Sequence, residues 1–411
     1  MLVPSIGLLV SFTLIAILAN RRLPLGVAML AGSIVLGLTL GLGPARTFTV
    51  IGNALVSPIA RELMVVMALI TLLNRILQRS DLLRDMLGAL AGLLRDDRLS
   101  LAAIPSLVGL LPAPGAAVIA APLVDAMGDS LSLTPTRRAA INIIFRHAWF
   151  LIFPFTPSLI LAAQLADMSV YRLAGLQLPL AVTLLAAGYL RYLHGPRTRP
   201  SPAPDRSARL RMLGTFLFRG SPLLLGLILP VGFRVPISSS LAVAVLLAIF
   251  LGWRHPRFRI GLLLREGVDW WLVLAMGVVI AFRDVLAETA VVTVLVDGLV
   301  DGGLPVMAMA AGLPFLISFV SASQNASIAI TYPLLLPLVA PEAGPAVAVL
   351  VFTCSFLAYL ISPLHLCQVL TVEYFKVRLS SLYREYLIPL AALALSLAIL
   401  TWLRLAGAFP G

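Results

Sequence analysis

Charge is scarce in this chain, and acid scarcest: 12% of the 411 residues are Asp, Glu, Lys or Arg, and only 18 of them are acidic. Lys376 is its single lysine, and Cys354 and Cys367 are its 2 cysteines. The two thiols form neither a CxxC pair nor any metal-ligand spacing, which leaves them as small apolar residues and excludes a disulfide framework. The four histidines, His147, His194, His255 and His365, make no HExxH pair. A nucleophile of the GxSxG type and a phosphate loop of the GxxxxGK[ST] type are also missing. An intramembrane enzyme and a nucleotide-driven pump are therefore disfavoured. No basic stretch precedes the first apolar run, so that run is expected to stay in the protein as a helix rather than leave as a signal peptide.

What the chain does have is apolar length. It is 60% hydrophobic with a mean hydropathy of +1.02, outside the range of soluble domains. Apolar runs at 5–19, 24–43, 61–77, 138–165, 173–193, 213–232, 237–252, 268–286, 345–362 and 385–404 are mostly near the ~20 residues that cross a ~30 Å hydrocarbon core. This predicts ten crossings plus two interrupted segments in the cytoplasmic membrane. The formal charge of +12 is spread over short loops, which fits topology rather than nucleic-acid binding. Arg21 and Arg22, the arginines of 75–98, Arg137 and Arg138, and the basic residues of 191–219, 254–265 and 376–384 share one side. Asp167, Glu288, Asp297, Asp301 and Glu342 mark the other. The positive-inside rule then puts both termini in the periplasm or exterior.

The two halves align. Arg22-Leu-Pro24 recurs as Arg234-Val-Pro236, Arg75 as Arg283, Pro105 as Pro314, and Thr156-Pro157 as Ser362-Pro363, each 206–212 residues later. Five crossings per half, an odd number, make the repeat inverted. The expected fold is an all-α polytopic membrane protein: first repeat 1–193, cytoplasmic linker 194–212 rich in Pro and Arg, second repeat 213–411. Each repeat holds a re-entrant hairpin (99–127 and 303–341) and a broken helix (138–165 and 345–376). Amphipathic segments at Ser80 to Asp97 and Ala287 to Val300 are read either as interfacial helices or as ordinary loop helices.

The breaks are the candidate site. Pro112-Ala-Pro114-Gly115 and Ser321-Ala-Ser-Gln-Asn325 interrupt apolar arms, and irregular backbone at membrane depth is tolerated only where it is buried or lines a cavity. Prolines free nearby carbonyls, and a helix beginning after Gly115, at Ala116, offers N–H groups to an anion. Ser323, Gln324 and Asn325 supply hydroxyl and amide groups at the second tip. Carbonyls at Pro112 and Ala113 and the hydroxyls of Ser321 and Ser327 are the candidate ligands of a coupling Na⁺; no other cofactor is expected. Thr156 and Ser362 sit at the broken spans. Arg146, about 12 Å along its helix from Arg138, either snorkels to the interface or faces a polar cavity and attracts an anion. His147 is either a proton carrier or a hydrogen-bonded structural residue. Asn142, one turn earlier, shares the Arg146 face, and His365 is a comparable candidate in the second half. These features point to a secondary active transporter of a small organic anion, with a channel or a membrane subunit of a larger complex as the alternative.

Pro112-Ala-Pro114-Gly115-Ala116 with Ala121-Pro122, then Asn142 and Phe145-Arg146-His147-Ala-Trp149, resemble the family designated domain of unknown function 401. More broadly the pattern resembles the ion transporter superfamily of secondary carriers. An acidic residue expected after the Trp is replaced by Phe150, which weakens any coupling through a carboxylate there. The resemblance implies a homodimer with a scaffold and a transport domain moving elevator-fashion.

Overall fold

The computed structural model describes residues 7, 10–15, 17–18, 21, 23–94, 96–110, 116–195, 205–253, 255, 261, 266–289 and 305–407, with the side chains of all but 116–119. Among these residues every regular element is helical. In chain order the helices of the first half are α1 Leu25–Thr39, α2 Gly43–Leu55, α3 Pro58–Arg79, α4 Leu82–Leu93, α5 Asp97–Gly109, α6 Ala116–Ser130, α7 Pro135–Ala148, α8 Pro157–Leu165 and α9 Val170–Tyr192. The second half contributes α10 Arg206–Phe233, α11 Ile237–Gly252, α12 Trp270–Ala287, α13 Val306–Ser321, α14 Gln324–Leu335, α15 Gly344–Ile361, α16 Leu366–Phe375 and α17 Leu379–Leu405.

By length and composition α9, α10, α12, α17 and the stretch Gly344–Phe375 can each cross a membrane, and α2 with α3, bent by 53°, makes a sixth. Among the described residues fewer helices reach spanning length than the ten expected, and the run expected at 5–19 lies largely outside them. Pro24 and Pro236 stand at the N-caps of α1 and α11, where the missing N–H costs nothing; α11 covers its expected run, and α1 stops at Thr39, four residues short of it, so the two have 15 and 16 residues. At 1.5 Å per residue that is about 22–24 Å, short of the hydrocarbon core. The helix α2 is new, since the sequence reading leaves 44–60 as a connection. Its buried Thr47, Val50, Ile51 and Ala54 recur at helical spacing, and Ser57 then caps α3 by accepting from the Ala60 N–H.

The helices pack as two groups. One comprises α1 to α4 with α10 to α12: α12 lies on α1, α2 and α3, α10 on α4 and α11, and α11 on α3. The other comprises α5 to α9 with α13 to α17: α15 lies on α13, α14 and α17, α7 on α5, α6, α9 and α16, and α8 on α14. The groups meet through slighter contacts of α4 with α5, α12 with α14 and α3 with α8. Among the described residues every ion pair stays inside one group, as in Arg46–Glu288, Arg79–Glu266 and Arg219–Asp85 of the first and Arg138–Asp125, Arg138–Asp129 and Arg191–Glu385 of the second. Between the groups lies a gap of about 640 Å³ lined by apolar side chains, among them Leu90 of α4 and Leu94 just after it, Leu107 of α5, Phe145 of α7 and Phe216 of α10.

The amphipathic segment expected at 80–97 is α4. Its buried Leu82, Leu83, Met86 and Leu87 face α10, where Gly220 leaves room for the Met86 sulfur. Most of its counterpart, 290–300, lies outside the described residues. In its most apolar 18-residue window the Gly344–Phe375 stretch of the second group has 78% of its residues buried, against 28% for α17 of the same group and 22% for α10 of the first, so it forms the axis around which the candidate site is built.

Candidate functional site

Three interruptions face one another in the second group. After Ala148 the chain makes a short 3-10 turn, Trp149–Leu151, then runs non-helically to Thr156 before Pro157 opens α8. Between α15 and α16, Ser362 is extended (φ −62°, ψ 127°) and Pro363 prevents continuation, so α16 restarts at Leu366. Between α13 and α14, Ala322 takes a left-handed conformation (φ 49°) and Ser323 caps α14, its hydroxyl accepting from the Ala326 N–H at 3.2 Å.

A cavity of about 300 Å³ opens where these breaks converge. Arg146, Thr156, Ser323, Gln324 and Asn325 line it, five of the residues nominated from sequence. Arg146 is 2% exposed. Its Nη2 donates to Cys367 Sγ at 3.2 Å, while Nε and Nη1 have no protein partner. The buried Asn325 Oδ1 is likewise unpartnered. Pro157 and Ser158 open α8 on the cavity wall and Gln324 and Asn325 open α14 there, so the N-terminal ends of two helices line the same space as the guanidinium. That combination suits a small anion. Gly109 of α5 packs so closely on the Arg146 carbonyl that a Cβ would collide with it, which ties the first hairpin arm to the arginine backbone.

Other nominated residues lie near the cavity but serve as braces. Ser362 Oγ donates to Phe319 O at 2.7 Å, pinning the α15 break to the hairpin. Asn142 Nδ2 donates to Thr371 Oγ1 at 3.1 Å and joins α7 to α16. Ser321 Oγ donates back to Ile317 O, and Ser327 Oγ donates to Pro314 O while receiving the Ser355 hydroxyl, each at 2.7–2.8 Å. His147 and His365 are buried behind the cavity, their rings 4.8 Å apart, and His365 stacks 4.0 Å from Tyr359. Pro112, Ala113, Pro114 and Gly115 lie outside the described residues, as does the side chain of Ala116, the residue that opens α6.

Among the lining residues that escape the sequence reading are Tyr359, Cys367 and Asp269. Asp269 belongs to the other helix group, where its carboxylate caps α12 by accepting from the Leu272 N–H at 3.0 Å. The cap is readable as an Asp before an apolar run, but its position beside the hairpin tip at Ala322, 53 residues later in sequence (322 − 269), is not. Cys367 offered no local spacing signal at all.

No curated protein matches the sequence. Among solved structures, the Alcanivorax borkumensis YdaH transporter, whose topology is described as unusual, aligns with a TM-score of 0.54 over 87% of this chain and 86% of its own, at 17% identity. That likeness is one of fold, that of a polytopic membrane protein. A family description, "Protein of unknown function (DUF401)", matches residues 4–406, and with the Pro-Ala-Pro-Gly and Phe-Arg-His motifs inside that span the chain belongs to this family.

Proposed function

We propose that this protein is a secondary active transporter that moves a small organic anion, of the carboxylate class, across the cytoplasmic membrane by alternating access. The observation that carries the reading is Arg146: a guanidinium 2% exposed, with two of its three nitrogens unpartnered, on the wall of a cavity where two helix N-termini also open. A buried cation left so incompletely satisfied is costly in a fold and expected where a ligand completes it. At about 300 Å³ the cavity lies at the lower end of small-molecule sites. In this reading Arg146, Thr156, Ser323, Gln324 and Asn325 contact the anion, and no covalent chemistry is performed.

The division into two helix groups supports alternating access. The site belongs almost wholly to the second group, while Asp269 and Leu272 of the first close one side of it, so displacement of one group against the other opens or seals the cavity. An inverted repeat with boundaries at 1–193 and 213–411 is supported by paired braces. The Ser106 hydroxyl of α5, bonded to Ala102 O, also lies 3.2 Å from Phe145 O, and Ser318 of α13 donates to Ser355 O at 2.8 Å, a similar contact between a hairpin arm and a broken span in each half, about one helical turn apart in the repeat register. Elevator-type movement, a homodimer, coupling to Na⁺ or H⁺, a Na⁺ site near Pro112, Ala113, Ser321 and Ser327, and termini outside the cytoplasm belong to the same proposal.

Thermal unfolding of the purified protein against a panel of carboxylates and inorganic anions, with and without Na⁺ and at two pH values, tests it. A ligand bound only by the folded state raises the melting temperature by mass action. One carboxylate that does so in the wild type and fails in Asn325→Ala supports the site. The same melting temperature with every anion under every condition refutes the organic-anion assignment.

A further inference from the structure

Behind the anion cavity, three side chains that the transport reading leaves without a task converge. His147 at the end of α7, His365 at the α15–α16 break and Cys367 in the first turn of α16 are all buried, and their donor atoms lie within 4.8 Å of one another. We propose that they form a binding site for a soft monovalent d¹⁰ metal ion, Cu⁺ in biological terms. The proposal does not rest on the transport reading, because metal binding needs no movement of cargo.

Geometry comes first. Ligands at about 2.0–2.1 Å (nitrogen) and 2.3 Å (sulfur) from a metal stand roughly 3.3–3.8 Å from one another. Side-chain rotations that draw the donors in by about 1 Å therefore suffice. The His147 ring is already set up for ligation. Its Nδ1 stands 2.8 Å from the Ile143 carbonyl, which can only accept, so Nδ1 carries the proton and the lone pair is on Nε2. Nε2 is buried and has no partner. A metal-binding imidazole characteristically has its second nitrogen fixed in this way by a carbonyl. Neither ring nitrogen of His365 makes a hydrogen bond, although the side chain is 1% exposed. Three unpartnered imidazole nitrogens in a buried cluster are a liability that a metal ion removes.

Charge selects the class of ion. Arg146 donates to Cys367 Sγ at 3.2 Å, and the cluster contains no carboxylate. A divalent cation would add a net charge beside a buried guanidinium. A monovalent ion exchanges with the thiol proton, Cys–SH + M⁺ → Cys–S–M + H⁺, and leaves the charge of the buried site unchanged. Thiolate with two imidazoles favours soft ions over Na⁺, Mg²⁺ or Ca²⁺. Cys367 lines the cavity, which gives the ion its route of entry.

The test uses the full-length purified protein and Ag⁺ in chloride-free buffer, with bound silver measured after dialysis. The chain has just 2 cysteines, so the thiol background is one residue, Cys354. Wild type and Cys354→Ala are expected to retain one Ag⁺ per chain. Cys367→Ala loses it, and His365→Ala binds at least about tenfold more weakly. The silver absorption edge of the wild type, which requires no variant to fold, is expected to report one sulfur and two nitrogen neighbours. Absence of saturable binding, equal loss in Cys354→Ala and Cys367→Ala, or a shell without nitrogen overturns the proposal. None of these outcomes bears on carboxylate-dependent stabilisation, so the two readings fail separately.

Discussion

Replacing Arg146 by Met separates a structural arginine from a ligand-binding one, because the two roles predict opposite signs. Arg146 is 2% exposed, its one hydrogen bond goes to a sulfur at 3.2 Å, and Nε and Nη1 are unpartnered. Each buried donor without a partner costs about 1–3 kcal/mol, so two of them cost about 2–6 kcal/mol before any relief by solvent in the cavity. Met keeps an unbranched chain of similar reach and packs into irregular space. It forfeits one weak hydrogen bond, worth about 1 kcal/mol. The ligand-free Arg146→Met variant is therefore expected to be more stable than the wild type by about 1–3 kcal/mol, a trade of function for stability. At about 2–4 °C per kcal/mol for a sizeable domain, and less for a longer chain, this amounts to a rise of a few degrees in Tm. Differential scanning fluorimetry in detergent without added anion measures it, and uptake into proteoliposomes should be lost in the same variant. A fall in Tm would refute the reasoning, since it would show that Arg146 is satisfied within the fold.

Gly109→Ala is expected to lower stability by about 1–3 kcal/mol, because the added methyl collides with the Arg146 backbone carbonyl and overpacks α5 on α7. Gly175→Ala, whose added Cβ meets nothing within 4 Å, should not lower it, and comparing the two Tm values checks this. Asp269→Asn keeps the oxygen that caps α12 while removing a negative charge from the cavity mouth. For an exposed charge worth about 0.2–1 kcal/mol this should tighten anion binding by up to about fivefold in a titration, and weaker binding would count against anionic cargo. Asp96 caps α5 through the Arg98 N–H, and hydrogen bonds from the Arg98 side chain hold its carboxyl below the usual carboxylate range. A lowered carboxyl contributes stability above its ordinary range and loses it as pH falls through the depressed value. Asp96→Ala should thus cost about 1 kcal/mol at neutral pH, with the two melting curves converging in acid.

Membrane class, helical fold and, among the described residues, the points where helices are interrupted were legible because each is written locally. Apolar length marks the spans, and Pro157, Pro363 and Ser323 mark where helices stop and restart. Arg146 stood out because arginine at depth is rare. The partners were not legible. Nothing local in Cys367 announces that it receives the Arg146 guanidinium from 221 residues away, and nothing in Ser362 distinguishes a brace on Phe319 from a site hydroxyl. Helix α2 was missed for a different reason: its polar residues lower the hydropathy below what a span search detects, although its buried face has helical period.

The gap between the two helix groups has a bearing on kinetics. With every ion pair among the described residues internal to one group and Leu90, Leu107 and Phe216 facing the space between, the surfaces that would slide past each other in the proposed mechanism offer hydrocarbon to hydrocarbon. In the proposed mechanism, friction in such a joint would be set by any acyl chains that enter it. Turnover should then follow bilayer fluidity, slowing sharply where the lipid gels and quickening with unsaturation. The membrane becomes a lubricant as well as a solvent, and the host's lipid composition becomes a determinant of how fast the protein works.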